Sequence, residues 1–326
     1  LKKRQILRIV EALQEVKNIL FCCHVNPDGD TIGSALALAR AARLLGKEAH
    51  VGSHDGVPDI YRFLPDSGLI LSRPAGNSYD LVVAVDFDGF DRMGSFSPVA
   101  QAVPRFAVVD HHASSPVQGC GQIRVIDTAA AATGEIVFDI LRFLRTPLDQ
   151  DIAVMLMTAI LTDTGSFRFS NVRPRSFSIA HDLIKAGAHP EIIFKQVYEQ
   201  RPFSSVKLLG LVLAKSRQSC NGRVVWATVT RKDLQEAGAR DEETEGIVNQ
   251  LTTVRTAEVA VLLRETQNGD VRVSVRTAGR LDAREIAQRF GGGGHQMASG
   301  CTLKGPLEAA EVQLVSYLEE LACRLP

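Results

Sequence analysis

The chain has 326 residues, enough for two domains of ordinary size. Its 45% hydrophobic and 23% charged residues fit a globular polypeptide and exclude a disordered or fibrous one, and no apolar run reaches the ~18–20 residues of a membrane helix. Lys plus Arg and Asp plus Glu both total 37, so the formal net charge of +0 excludes a protein that coats long nucleic acid through a broad basic surface, but not a pocket that grips a phosphate.

The basic N-terminus, Leu1–Arg8, interleaves apolar and charged residues and reads as an amphipathic helix, not a secretory signal. Ile6, Ile9, Val10, Leu13 and Val16 predict that helix over 4–17. An apolar strand over Asn18–His24 follows, then a polar turn and an Ala/Leu-rich helix from Ile32 to Leu45 that Gly46 terminates. A second strand is predicted near Glu48–Ser53. The clearest buried strands are Leu81–Asp86 and Arg105–Asp110, each a continuous apolar run ending in Asp, with a shorter run at Ile123–Ile126. Strands alternating with helices imply a parallel α/β sheet.

From Ala131 the pattern turns helical, over 133–145, 149–162 and 175–186. Residues 190–215 read as helix broken at Arg201-Pro202 and are taken as the connector between domains. Strand-like runs at 223–230, 257–265 and 270–277 then lead, through helices near 282–290 and 306–323, to a second α+β domain, and Asn268-Gly269-Asp270 marks a hairpin. The six cysteines (Cys22, Cys23, Cys120, Cys220, Cys301, Cys323) contain no C-x-x-C pair. They give no zinc framework, a disulfide framework is not expected in a chain this long, and a reducing cytoplasm is the expected compartment.

Acidic clusters gather at predicted strand ends. They are His24-Val-Asn-Pro-Asp28-Gly-Asp30, Asp86-Phe-Asp88 and Asp110-His111-His112, joined by Asp163 closing the helix that begins near Asp149. Ligands of open parallel sheets bind outside the carboxyl ends of the strands, so three of these clusters converge on one edge. So many anions would repel in a metal-free crevice, and hard carboxylates with imidazoles suit Mn²⁺ or Mg²⁺ better than a thiolate zinc site. A shared carboxylate would hold two such ions about 3.5–4 Å apart, the separation used in phosphate-ester hydrolysis. In the second domain, Gly291–Gly294 before His295 exposes backbone N–H groups to an anion, and Ser274 and Arg276 add polar and cationic groups for phosphate. His50, His54, His181 and His189 lie outside these motifs and read as surface or structural.

Taken together and in this order, the motifs resemble the DHH phosphoesterase superfamily, in the RecJ-like branch of bacterial oligoribonucleases (nano-RNases) and pAp phosphatases. The resemblance covers nearly the whole chain. It implies an α/β fold with an N-terminal parallel-sheet DHH catalytic domain (1–190), a helical connector (191–215) and a smaller C-terminal α+β DHH-associated domain (216–326). Residue by residue, it implies one divalent cation on His24, Asp28 and Asp86 and another on Asp30, Asp86, His111 and Asp163. Mn²⁺ is the first expectation and Mg²⁺ the second. His112, Asp86 and Asp110 are the implied catalytic set, with His112 facing the phosphate or leaving group and Asp110 orienting His111. Arg168, Ser274, Arg276, Gly292, Gly293, Gly294 and His295 are the implied substrate contacts; Val172 stands where the family often has Thr after Asn171.

The implied substrates are short RNA or DNA oligonucleotides, which chain size limits to about two to five units, and 3′-phosphoadenosine 5′-phosphate. A cyclic dinucleotide phosphodiesterase would share every motif. The glycine run counts against an inorganic pyrophosphatase, and intact metal positions count against an inactive nucleotide-binding regulator. A homodimer is compatible with the sequence; neither an obligate protein partner nor a membrane is expected.

Overall fold

The structure, a computed structural model, describes residues 2–76, 78–87, 89–112 and 123–325; Asp88 and Cys120 lie outside the described residues. It divides into two compact units, Leu1–Gln200 and Arg201–Pro326. The stretch 191–215, expected as a connector, is split between them.

In the first unit, β1 (Asn18–Cys22), β2 (Glu48–Gly52), β3 (Leu81–Val85), β4 (Arg105–Asp110) and β5 (Ile123–Ile126) form one sheet in the order β2-β1-β3-β4-β5, parallel throughout. Helices α1 (Lys2–Glu15), α2 (Gly29–Leu44), α3 (Ser97–Ala102), α4 (Thr133–Leu144), α5 (Gln150–Asp163), α6 (Pro174–Lys185) and α7 (Pro190–Tyr198) complete it. The central strand β3 is apolar at every position, and β1 and β4 are apolar between their ends, because both faces are covered. Leu81, Val83 and Val85 join the core formed with α1, α2, α4 and α5, while Val82 and Ala84 pack with Phe87, Met93 and Phe96 on the other face. Each such side chain contributes about 1.5–3 kcal/mol of burial.

Helix α2 is buried almost all round, and small residues suit it to that place. Asp28 caps its start, Leu45 closes its last turn, and Gly46 follows in the left-handed conformation (φ +76°). Gly33 faces α5 so closely that a Cβ there would lie 2.3 Å from the Met155 carbonyl oxygen. That contact fixes the spacing of α2, which carries Asp30, from α5, which ends in Asp163.

The second unit contains α8 (Phe203–Ala214), β6 (Arg217–Ser219), β7 (Val224–Val229), α9 (Arg231–Ala237), α10 (Ile247–Leu251), β8 (Val259–Glu265), β9 (Val271–Thr277), α11 (Ala283–Gln288), β10 (Gly293–Gly294), β11 (Ala298–Leu303) and α12 (Leu307–Ala322). Its sheet runs β10-β11-β9-β8-β7-β6, antiparallel except for the β7–β8 pair. The α+β reading of this unit holds, and Asn268–Asp270 does close the β8–β9 hairpin. Strands β10 and β11 carry no apolar run and were not legible. Val271, Val273 and Val275 of β9 enter the core with α11 and α12, so the pleat turns Ser274 and Arg276 to the opposite face.

One disulfide forms against expectation. Cys220 and Cys323, 103 residues apart in sequence, have Cα atoms 5.2 Å apart and are bonded. Cysteine spacing could not show this, because the packing of α12 creates the proximity. Among the described residues no helix is long and apolar enough to cross a membrane.

Gly33→Ala should cost about 1–3 kcal/mol in urea unfolding, because the added methyl meets backbone rather than a yielding side chain. Gly210→Ala on α8, with nothing within 4 Å of its new Cβ, should instead be neutral or stabilising by about 0.4–1 kcal/mol. Equal effects would show that the α2–α5 contact is not tight.

Candidate active site

Strand order reverses between β1 and β3, the place at which open parallel sheets receive ligands beyond their carboxyl ends. The loop after β1 carries His24 and Asp28, and the Asp28 Oδ1 accepts the amides of Asp30 and Thr31, both at 3.0 Å. Asp86 directly follows β3 in the left-handed region (φ +58°), its amide donating to the Val109 carbonyl at 2.9 Å. Asp110 ends β4, and His111 and His112 follow. Asp163 is the last residue of α5.

These side chains meet. His24 Nε2 lies 3.7 Å from Asp28 Oδ1 and 3.4 Å from Asp86 Oδ2. His111 Nε2 lies 3.6 Å from Asp86 Oδ1, 3.4 Å from Asp163 Oδ2 and 3.9 Å from Asp30 Oδ2. Both imidazoles turn the same way. Nδ1 of His24 is 2.9 Å from the Val25 carbonyl and Nδ1 of His111 is 3.3 Å from the Ala130 carbonyl, which leaves Nε2 of each toward the carboxylates. That is how a protein prepares a histidine to ligate metal through Nε2. Adjacent ligands of an octahedral ion with bonds of about 2.1 Å stand about 3 Å apart, close to these separations. His24 with Asp28 and Asp86 forms one donor group, and Asp30 with His111 and Asp163 another.

The first turn of α4 supports the acids. Asp30 Oδ2 accepts the Thr133 amide at 2.6 Å, and its Oδ1 accepts the Gly134 amide at 2.9 Å and the Ser34 hydroxyl at 3.2 Å. Thr133 Oγ1 donates to Asp86 Oδ1 at 3.0 Å. Asn171 ties the turn after α5 to this corner, its Nδ2 donating to the carbonyls of Ala131 (2.9 Å) and Asp163 (3.0 Å). Sequence reading misses Thr133, Gly134 and Ser34; the available signal is the Thr-Gly-Glu start of the helix over 133–145, which by itself says nothing of the acids it meets.

The electrostatics are those of crowded anions with too little countercharge to ionise them all. Burial and the charges of Asp86 and Asp163 push the Asp30 carboxyl well above its usual range. Burial, Asp86 and Asp28 do the same to Asp163. Asp86 is the exception: burial opposes its ionisation, but the hydrogen bond from His24 and the charges of His112 and His111 hold it low. For His24, burial works against the cation, yet Asp28 and Asp86 lift its pKa to about 10. His112 is likewise opposed by burial but lifted to about 9, first by its hydrogen bond to Asp110 and then by Asp86 and Asp163.

The role expected for Asp110 is corrected. Its Oδ1 accepts from His112 Nδ1 at 2.7 Å and from the His112 amide at 3.1 Å, so it orients His112, whereas His111 is held by Ala130. A strand-end Asp reaches the residue two places on more readily than its immediate neighbour, whose side chain leaves on the other face. Arg168 sits on the turn after Asp163, its Nε donating to the Gly165 carbonyl at 2.8 Å.

In the second unit, considered by itself, Ser274 pairs across the sheet with Gly300, and Gly300 with Gly293. The three make a shallow row with Arg276 beside it, whose Nε donates to Asn249 Oδ1 at 3.1 Å. Gly292 packs where a Cβ would lie 2.2 Å from the Gly300 carbonyl oxygen. Gly294 and the exposed His295 continue into a tight turn, the His295 amide donating to the Ala298 carbonyl at 2.7 Å. Gly300, unsuspected from sequence, completes this surface.

The comparisons agree with this architecture. Residues 18–160 match the DHH family N-terminal domain and residues 221–322 the DHHA1 domain. A Thermus thermophilus protein named bifunctional oligoribonuclease and PAP phosphatase NrnA is 35% identical over 303 residues, 91% of this chain and 88% of its own length. An exopolyphosphatase-related protein from Bacteroides fragilis superposes with a TM-score of 0.91 at 24% identity, over 98% of this chain and 96% of that one. RecJ of Thermus thermophilus, solved in complex with Mn²⁺, superposes with a TM-score of 0.58 at 13% identity, over 99% of this chain and 55% of RecJ.

Because His24 is protonated at neutral pH in the metal-free site, cation binding must expel protons. Mn²⁺ titrations at pH 7.5 in buffers of different ionisation enthalpy should show release of at least one proton. Apparent affinity should rise about tenfold per pH unit for each proton released between pH 6 and 9. No net release would contradict the charge states described.

Proposed function

As a member of the DHH family with a DHHA1 domain, the chain is, we propose, a two-metal phosphoesterase that hydrolyses short oligonucleotides to mononucleotides and removes the 3′-phosphate of 3′-phosphoadenosine 5′-phosphate. One observation carries the two-metal part. The two oxygens of Asp86 face different donor groups, Oδ2 toward His24 and Oδ1 toward His111, as a carboxylate shared by two cations requires.

The donor set is oxygen-rich with imidazole and contains no thiolate, which fits Mn²⁺ or Mg²⁺. His24, Asp28 and Asp86 would hold one ion and Asp30, Asp86, His111 and Asp163 the other. Such ions supply an acidified water and charge neutralisation at the phosphoryl oxygens. The rest falls to side chains. Thr133 and the first amides of α4 hold Asp30 and Asp86 in place. His112, charged at neutral pH and aligned by Asp110, gives a proton to the departing oxygen. Arg168 meets phosphate beside Asp163. In the second unit the Ser274 hydroxyl, the Arg276 guanidinium and the His295 ring are the donors for nucleotide, while Gly292, Gly293 and Gly294 keep the surface low; the amides of Gly292 and His295 are already given to the carbonyls of Ala287 and Ala298.

With Mn²⁺ present, RNA and DNA dinucleotides and 3′-phosphoadenosine 5′-phosphate should be turned over with kcat/KM well above that of a 24-mer, cyclic di-AMP or pyrophosphate. A preference for the 24-mer or for pyrophosphate would reject the proposal. Asp86→Ala should remove turnover while circular dichroism stays unchanged. Thr133→Val should weaken Mn²⁺ binding about 10- to 100-fold by calorimetry, with Thr133→Ser restoring it.

A further inference from the structure

One residue beyond Asp163, after Thr164, the chain passes through three successive left-handed residues, Gly165 (φ +53°), Ser166 (φ +59°) and Phe167 (φ +63°). Two of them carry side chains, for which this region is costly, and such backbone persists only where its surroundings enforce it. Here the enforcement is dense. The Ser166 amide donates to the Leu161 carbonyl at 2.7 Å, and the amides of Arg168 and Phe169 both donate to the Thr164 carbonyl at 3.0 Å. The Phe167 amide donates to Oγ1 of the buried Thr164 at 3.1 Å, and Asn171 closes the far end on Ala131 and Asp163.

What this fixed turn displays is a cation and a ring. Phe167 turns inward onto Phe177, their centroids 5.0 Å apart. Phe169 instead lies over Gly165, where a Cβ would fall 2.4 Å from its ring carbons, yet it remains 55% exposed. Arg168 is pinned to the same glycine by its Nε. A mobile loop can leave an aromatic in water by default; here a strained turn whose amides are hydrogen-bonded from Thr164 to Phe169 presents it, six residues after Asp163 of the candidate metal site.

We propose that Phe169 is a stacking surface for a nucleobase of the substrate, an inference that rests on the nucleotide-hydrolase reading above. Bases of every kind have a π-face, so a ring of this sort adds affinity for nucleotides without reading sequence, while Arg168 meets the adjoining phosphate. It also selects against phosphoesters that carry no base. Phe169 thereby acts on substrate choice and not on the bond-breaking step.

The test follows a dinucleotide carrying 2-aminopurine on a non-hydrolysable methylene-phosphonate linkage, titrated into the full chain with Mg²⁺ and read by fluorescence quenching. Turnover of ApA, and of the same dinucleotide lacking one base, is measured alongside. Phe169→Ala should abolish the quench, weaken binding roughly 5- to 150-fold and raise KM for ApA in the same range with kcat preserved, while Phe169→Tyr retains all three. One of the two base-deleted analogues should be unaffected by Phe169→Ala. Quenching that survives Phe169→Ala, equal losses on ApA and both base-deleted analogues, or weaker Mn²⁺ binding by that variant would overturn the proposal. Wild-type quenching without hydrolysis would leave stacking standing and sink the hydrolase reading; hydrolysis without quenching would do the reverse.

Discussion

The first unit is organised around electrostatic repulsion. Asp28, Asp30, Asp86 and Asp163 are brought to within reach of the same two imidazoles, two of the four fully or nearly buried. Neutral donors do not resolve this. Asp30 receives two backbone amides and a hydroxyl, yet burial and its neighbours still hold its carboxyl above the usual range. Added positive charge is what lets Asp30 and Asp163 ionise beside Asp86, and the same charge makes the site useful to a phosphate ester. The local features follow from that requirement: left-handed Asp86, the α4 helix start aimed at two acids, and histidines tied back through Nδ1.

The side chains that carry charge were legible in the sequence because apolar strands ending in acid announce both their own burial and the position of the acid. Leu81–Asp86 and Arg105–Asp110 show this directly. The groups that hold those side chains were not legible, since Thr133, Gly134 and Ser34 are ordinary residues whose value comes from tertiary position. Asp110 was found but attached to the wrong histidine, an error about side-chain direction and not residue type. In the second unit, Ser274 and Arg276 were visible on an alternating strand. Gly300 and strands β10 and β11 lacked the hydrophobic periodicity that reveals a strand, and the Cys220–Cys323 bond depends on where α12 packs.

The second unit solves a different problem. Its β9 strand buries valines on one face and leaves a hydroxyl, a guanidinium and a row of glycines on the other. Small residues there keep the sheet surface low beside the Ser274 and Arg276 side chains.

The close approach of α2 and α5 at Gly33 has a consequence for how such a scaffold can change. Spacing between Asp30 and Asp163 is set inside the helical layer, by a gap too small for a methyl group, whereas Arg168, Phe169 and the open β9 face are displayed from outside it. If those outer surfaces have the binding roles proposed above, mutational drift on them can retune what is recognised while the spacing of Asp30 and Asp163 stays in register. Power and taste are mechanically separable in this chain, and the molecule can diversify the second without renegotiating the first.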